Sequence, residues 1–142
     1  SKFRNEYHKL MVNMMLTTSR LGECFQHTIK DYDITPTQYN VLRILRGQNQ
    51  KPVSIGLIKE RMIDRNSDVS RIIERLVQKE LIERTENSGD RRQKDVLISK
   101  AGLDLLKEID VWEKQMDKRL QNVTESEAKK MNDLLDKMRT NL

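Results

Sequence analysis

Over most of this 142-residue chain, apolar side chains recur every third or fourth position, the period of a helix with one buried face. Two short runs break that period. Leu81 to Thr85 and Lys94 to Ser99 read as strands, the second with Val96 and Ile98 on one face. The polar stretch between them, Glu86 to Arg92, contains Asn87-Ser88-Gly89-Asp90, a strong turn signal. A single β-hairpin set among helices is therefore expected. Only 5 Gly and 2 Pro are present, which excludes an all-β fold with many turns. No run approaches 18 apolar residues, so no membrane span is expected. At about 150 residues per domain, the length predicts one domain.

The helices can be placed from their caps and stripes. Phe3, Tyr7, Leu10, Met14, Thr18, Leu21, Phe25 and Ile29 step by three and four, predicting a first helix from Phe3 to Ile29. At 1.5 Å per residue it would be about 40 Å long. A helix that long in so small a domain is expected to lean on a partner chain, which predicts dimerisation. Asp31-Tyr32-Asp33 ends it. Thr35-Pro36-Thr37-Gln38 is a capping box with Pro at the first helical position, and the second helix then runs to Gly47. Ser54 caps a short third helix to about Met62. After the polar break Asp64 to Ser67, Val69, Ile72, Ile73, Leu76 and Val77 form the inner stripe of a fourth helix. Ser99 caps a fifth, with Leu105, Ile109, Trp112, Met116, Leu120 and Val123 inward. Thr124-x-x-Glu127 opens a sixth, with Met131, Leu134, Leu135 and Met138 on one face.

Two short helices joined by a tight turn, followed at once by a hairpin with a basic tip, describe a winged helix-turn-helix. The expected fold is mainly α with this small β-hairpin, as one domain over residues 1–142. The winged lobe occupies about 35–100, flanked by N- and C-terminal dimerisation helices at about 1–30 and 100–142. An α-helix fits the major groove with its N-terminal turns toward base edges, and a basic hairpin beside it can reach phosphates and the minor groove. The charge agrees: the net charge is +5, and residues 51–100 carry 12 Lys and Arg against 9 Asp and Glu. The candidate DNA contacts are Ser67, Asp68, Ser70, Arg71, Glu74 and Arg75 on the fourth helix, and Asp90, Arg91, Arg92 and Lys94 on the hairpin. Glu74 is the awkward member, because a carboxylate repels phosphate. The competing reading is a winged-helix module that binds protein instead of DNA.

The stretch SDVSRIIERLVQKELIERTENSGDRRQKDVLISKAG resembles the recognition helix and wing of the MarR family, the multiple-antibiotic-resistance-type regulators. That family ends its recognition helix in Leu-x-x-Lys-Gly-Leu-(Ile/Val)-x-Arg, continues with an Asp-x-Arg wing and leaves through Val-x-Leu-Thr-x-x-Gly. Here Leu76, Lys79, Leu81, Ile82 and Arg84 are followed by Asp90 and Arg92, then by Val96, Ile98, Ser99 and Gly102. ITPTQYNVLRIL is similar to the family's second helix, with Thr35, Gln38, Tyr39, Val41 and Leu42 in place. Two positions depart. The usual Gly before the first strand is Glu80, which must avoid a positive φ or occupy it at a cost. The usual Leu-Ala of the third helix is Leu57-Ile58.

The resemblance implies a homodimer with interlocked first, fifth and sixth helices, bound to a pseudo-palindromic double-stranded operator. It also implies a repressor released by a small-molecule effector or an oxidant. In the family the wing Arg, here Arg92, enters the minor groove, and the Asp, here Asp90, holds the tip in shape. The family's ligand pocket lies between the first, second and fifth helices, which points to Thr18, Gly22, Tyr39 and Trp112. Six of the seven methionines lie in the presumed dimer helices, where plain core packing accounts for them.

Cys24 raises a thiol-based redox sensor as an alternative. It lies only 11 positions before Thr35, unlike the reactive cysteine of the family's peroxide-sensing branch, and its neighbours Leu21 and Phe25 are apolar. It reads as a buried, inert thiol. His8 and His27 share one helix, too few ligands for a zinc site, so no metal is expected. No nucleotide-binding or catalytic phrase is present, so neither an enzyme nor a cofactor is expected. One cysteine and no apolar leader in SKFRNEYHKL predict a reducing cytoplasm.

Overall fold

The computed structural model describes residues 2–86, 89–90 and 92–142. Its elements are α1 (Glu6–Ile29), a 3-10 turn (Lys30–Tyr32), α2 (Pro36–Arg46), α3 (Ile55–Arg61), α4 (Val69–Gln78), β1 (Ile82–Glu86), β2 (Lys94–Ile98), α5 (Lys100–Arg119) and α6 (Glu125–Arg139). The fold is mainly helical with one antiparallel hairpin, as the spacing predicts. The chain divides into two compact units, Ser1–Lys107 and Glu108–Leu142.

Each helix starts where a side chain can take up a free backbone N–H. The Asn5 carboxamide accepts from the His8 amide at 2.9 Å, so α1 begins at Glu6, three residues after the position its apolar stripe suggests. At α2 the Thr35 hydroxyl accepts from the Gln38 amide and the Gln38 side chain accepts from the Thr35 amide, both at 3.1 Å. Ser54 caps α3 through the Leu57 amide at 3.2 Å. Asp68 caps α4 through the Arg71 amide at 3.2 Å. In the second unit, Thr124 and Glu127 form the expected box at α6. The Thr124 backbone N–H, and then its hydroxyl, hold the Glu127 carboxyl below its ordinary pKa.

The core of the first unit gathers Val41, Leu42 and Leu45 of α2, Ile58 of α3, Val69, Ile73 and Leu76 of α4, Ile82 and Val96 of the hairpin, and Leu106 of α5. Removing the side chain of such a residue costs about 2–5 kcal/mol. In α5 the expected Ile109 is buried, but beside it Leu106 is buried and the expected Leu105 only half-buried. Gly102 fixes that rotation. Its α-carbon lies so close to the hairpin that an added Cβ would stand 2.4 Å from the Leu81 carbonyl oxygen. Residues 102, 106 and 109 therefore make the buried face.

The hairpin pairs Ile82 with Ile98 and Arg84 with Val96. β1 begins one residue later than the alternation suggests, because Leu81 still belongs to the end of α4. There the Leu81 amide donates to the Leu76 carbonyl at 3.0 Å and the Glu80 amide to the Val77 carbonyl at 2.9 Å. This is the Schellman pattern, which needs a left-handed residue at the position of Glu80. Glu80 indeed has φ 61°. Glu80→Gly is expected to stabilise the protein by about 1 kcal/mol, because a side chain in this region crowds the backbone. Thermal unfolding checks this, with an expected rise of about 2–4 °C. An unchanged or lower midpoint would mean that the Glu80 side chain contributes more than its backbone costs.

Candidate nucleic-acid interface

The N-caps and the turn between α3 and α4 set the orientation of the candidate reading helix. The Ile63 amide of that turn donates to the Asn40 side chain of α2 at 2.9 Å. At the far end, Lys79 pairs with Asp33, its Nζ 3.7 Å from the carboxylate and also bonded to the Asp33 carbonyl. Asp33 itself sits at φ 53°, the residue that turns the chain from α1 toward α2. The turn after α3 is thus tied to α2, and the C-terminal end of α4 to the corner between α1 and α2.

With Val69, Ile73 and Leu76 buried, helical spacing leaves Ser70, Arg71, Glu74, Arg75 and Gln78 exposed. Among the described residues, neither Arg71 nor Arg75 has an acidic partner. Both line an open groove of about 420 Å³ against Thr35, Thr37 and Gln38 at the start of α2. Ser67 lines the same groove, and its hydroxyl oxygen is buried with no hydrogen-bond partner among the described residues. Asp68 is spent on the cap, which gives it a structural task in addition to any contact with a partner.

Glu74 does not stand alone. Arg84 of β1 donates to Glu74 Oε2, so a cation from the hairpin neutralises the one acid on the exposed face of α4. The pair also ties the wing to the helix. The sequence reading used Arg84 only as part of a family phrase. Strand alternation held the missing signal, since it places Arg84 on the same side as buried Ile82, which faces the core with α4.

At the hairpin tip, Asp90 accepts from the Arg92 amide at 2.9 Å, and the Gln93 amide donates to the Asp90 carbonyl at 3.1 Å. Asp90 therefore shapes the turn through its backbone. Arg92 is exposed, and among the described residues its side chain has no acidic partner. Lys94 lies opposite Glu86 and its Nζ is 3.5 Å from that carboxylate, which offsets part of its charge. Arg91 and the Asn87-Ser88 part of the expected turn lie outside the described residues.

The other candidates are placed as follows. Thr18 and Gly22 are exposed on α1, with open space around Gly22. Tyr39 is half-buried, its ring 4.7 Å from that of Phe25, with the Arg43 guanidinium donating to its hydroxyl at 3.3 Å. Trp112 is half-buried in the second unit. Cys24 is a free, half-buried thiol, less enclosed than its apolar neighbours suggest. No group of three metal-ligating side chains occurs among the described residues. No described helix is long and apolar enough to cross a membrane.

Residues 34–94, which hold the helix-turn-helix and the hairpin up to Lys94, match the MarR family model. The winged lobe is similar to that family over these residues. Solved structures of MarR-type regulators resemble the chain over nearly its whole length. Bordetella bronchiseptica BpsR is 26% identical with a TM-score of 0.77, over 92% of this chain and 98% of its own. A mutant of E. coli MarR bound to operator DNA is 23% identical with a TM-score of 0.81, over 94% and 96%. S. aureus MepR in complex with DNA is 20% identical with a TM-score of 0.81, over 93% and 97%. No curated protein sequence matches the chain. The left-handed Glu80 stands where the resemblance expects glycine.

Proposed function

We propose that the chain is a sequence-specific DNA-binding transcription regulator that acts as a homodimer on a pseudo-palindromic operator, and a repressor released by a small ligand. The observation that carries this reading is the set Arg71, Arg75 and Arg92. These three exposed guanidiniums lack acidic partners among the described residues, two on the outer face of α4 and one on the wing. Arginine pairs with guanine O6 and N7 in the major groove, and a narrow A·T-rich minor groove draws a guanidinium inward. The homodimer is supported by apolar side chains left open to water: Tyr7, Met11 and Met15 on α1, and Met131 and Leu134 on α6. Recognition helices about 34–36 Å apart in the dimer would enter successive major grooves. A shift of a few ångströms between lobes then prevents both from docking, which is how a ligand would release the operator. BpsR, whose DNA binding is regulated by 6-hydroxynicotinic acid, supports the ligand-release part.

Selection of double-stranded DNA from a random pool tests the reading directly, and an enriched inverted repeat is the expected result. On that site Arg71→Ala is expected to cost about 1–3 kcal/mol and to relax base choice at one position per half-site. Equal weakening on all sequences would make Arg71 a phosphate contact. Binding that is insensitive to salt would instead favour a protein partner.

The wing gives a second test. Arg92→Lys keeps the charge but replaces a planar, weakly hydrated guanidinium, so affinity is expected to fall about tenfold, most on A·T-rich flanks. Asp90→Ala removes a negative charge near DNA, yet it also removes the acceptor of the Arg92 amide and is expected to weaken binding. If Asp90→Ala tightens binding and Arg92→Lys is neutral in titrations at several salt concentrations, the wing is only an electrostatic patch.

A further inference from the structure

We propose that Glu74 reads cytosine in the major groove and that Arg84 is the positioning residue that makes this possible. The inference rests on α4 being the recognition helix. Glu74 is the one acid on the exposed face of α4 and stands between Arg71 and Arg75, where the partner polyanion would come closest. A bare carboxylate there opposes binding. Here one oxygen, Oε2, is engaged by Arg84, while among the described residues Oε1 accepts nothing. Both side chains are about half exposed, 42% for Arg84 and 49% for Glu74, so a base edge can reach the free oxygen.

The chemistry of the groove then selects the base. A carboxylate offers only acceptors. Guanine presents N7 and O6 acceptors, thymine an acceptor and a methyl group, and adenine an amino donor flanked by the N7 acceptor. Cytosine presents the N4 amino donor alone, and Glu is a known class of partner for it. Arg84 cancels the charge and fixes the side-chain direction from a strand, a more rigid support than the long side chain would have in solvent. A plain staple between wing and helix would use the same ion pair but would carry no base preference.

DNA selected from a random pool by the full-length protein, by Glu74→Gln and by Arg84→Gln separates these readings, followed by affinity measurements on sites differing at one base pair. The wild type is expected to require cytosine at one position of each half-site, with about tenfold weaker binding to the other bases. Glu74→Gln is expected to accept adenine there, since an amide pairs with N6 and N7 together. Arg84→Gln is expected to blur the preference at that same position, and Arg84→Lys to restore it. Thermal unfolding of each variant is expected to match the wild type, since these substitutions are exposed. The proposal is overturned if Glu74→Gln keeps the wild-type base preference. It is also overturned if Arg84→Gln weakens binding equally on every sequence, which would make Arg84 a phosphate contact. If the wild type enriches no DNA at all, the recognition-helix reading fails first and takes this one with it.

Discussion

Replacing Gly102 by alanine is expected to cost about 3 kcal/mol or more of folding stability, at the upper end of what overpacking does. The new Cβ would stand 2.4 Å from the Leu81 carbonyl oxygen and 2.7 Å from Cγ1 of Ile98. Neither neighbour can retreat freely. The Leu81 carbonyl accepts the Ser99 amide at 3.0 Å, and the adjacent Glu80 carbonyl accepts the Ser99 hydroxyl at 2.8 Å. The Gly102 amide is itself bonded to that hydroxyl at 3.1 Å. Moving any of them loosens the joint where α4, the hairpin and α5 meet. Urea unfolding checks this, as a lower midpoint at an unchanged slope. Gly22→Ala is the matched control. An added Cβ there meets nothing within 4 Å, and an exposed helical position gains about 1 kcal/mol from the change. Equal midpoints for the two variants would contradict the close approach at Gly102.

The second large effect concerns assembly. Met131→Glu together with Leu134→Glu is expected to halve the mass measured by sedimentation at micromolar concentration. These side chains are 52% and 57% exposed in the single chain, and burying two carboxylates in a subunit contact is unfavourable. Operator affinity is then expected to fall at least about a hundredfold, because the second half-site is no longer bound intramolecularly. Affinity for an isolated half-site is expected to stay unchanged, which separates loss of assembly from loss of the lobe. A wild-type chain that sediments as a folded monomer at the same concentration would remove the homodimer from the proposal.

Much of the fold was legible because its signals are local. Thr35 with Gln38, and Thr124 with Glu127, are boxes that act within one turn, and the structure forms both. The α4 stripe and the hairpin follow from period alone. What escaped the sequence depends on contacts between distant residues. Leu105 and Leu106 are indistinguishable by composition, and only the pressing of Gly102 on the hairpin decides which turns inward. The α1 stripe predicts a partner chain, and Tyr7 on it is 82% exposed in the single chain, since a stripe shows that a face is apolar and not what covers it. At the candidate interface, the exposed face of α4 could be read off, while the engagement of Glu74 by Arg84 spans ten residues and two elements. Asp90 was expected to act within the wing, and the turn backbone is its partner.

One small feature bears on how this protein avoids sticking to itself. Val53, in the loop before α3, exchanges two backbone hydrogen bonds with Val96 of β2, both at 2.9 Å. β2 is thus flanked by β1 on one side and by a single bridging residue on the other. That bridge caps the stretch of strand that would otherwise offer open donors and acceptors to a second chain. The loop that delivers Val53 carries Asn49 and Gln50 at φ 54° and 62°, a tight reversal that brings the bridging residue to the strand. Substitutions that loosen this reversal would unguard the edge without touching the core. Their first symptom would be misassociation through the sheet, in a protein whose melting temperature has hardly changed.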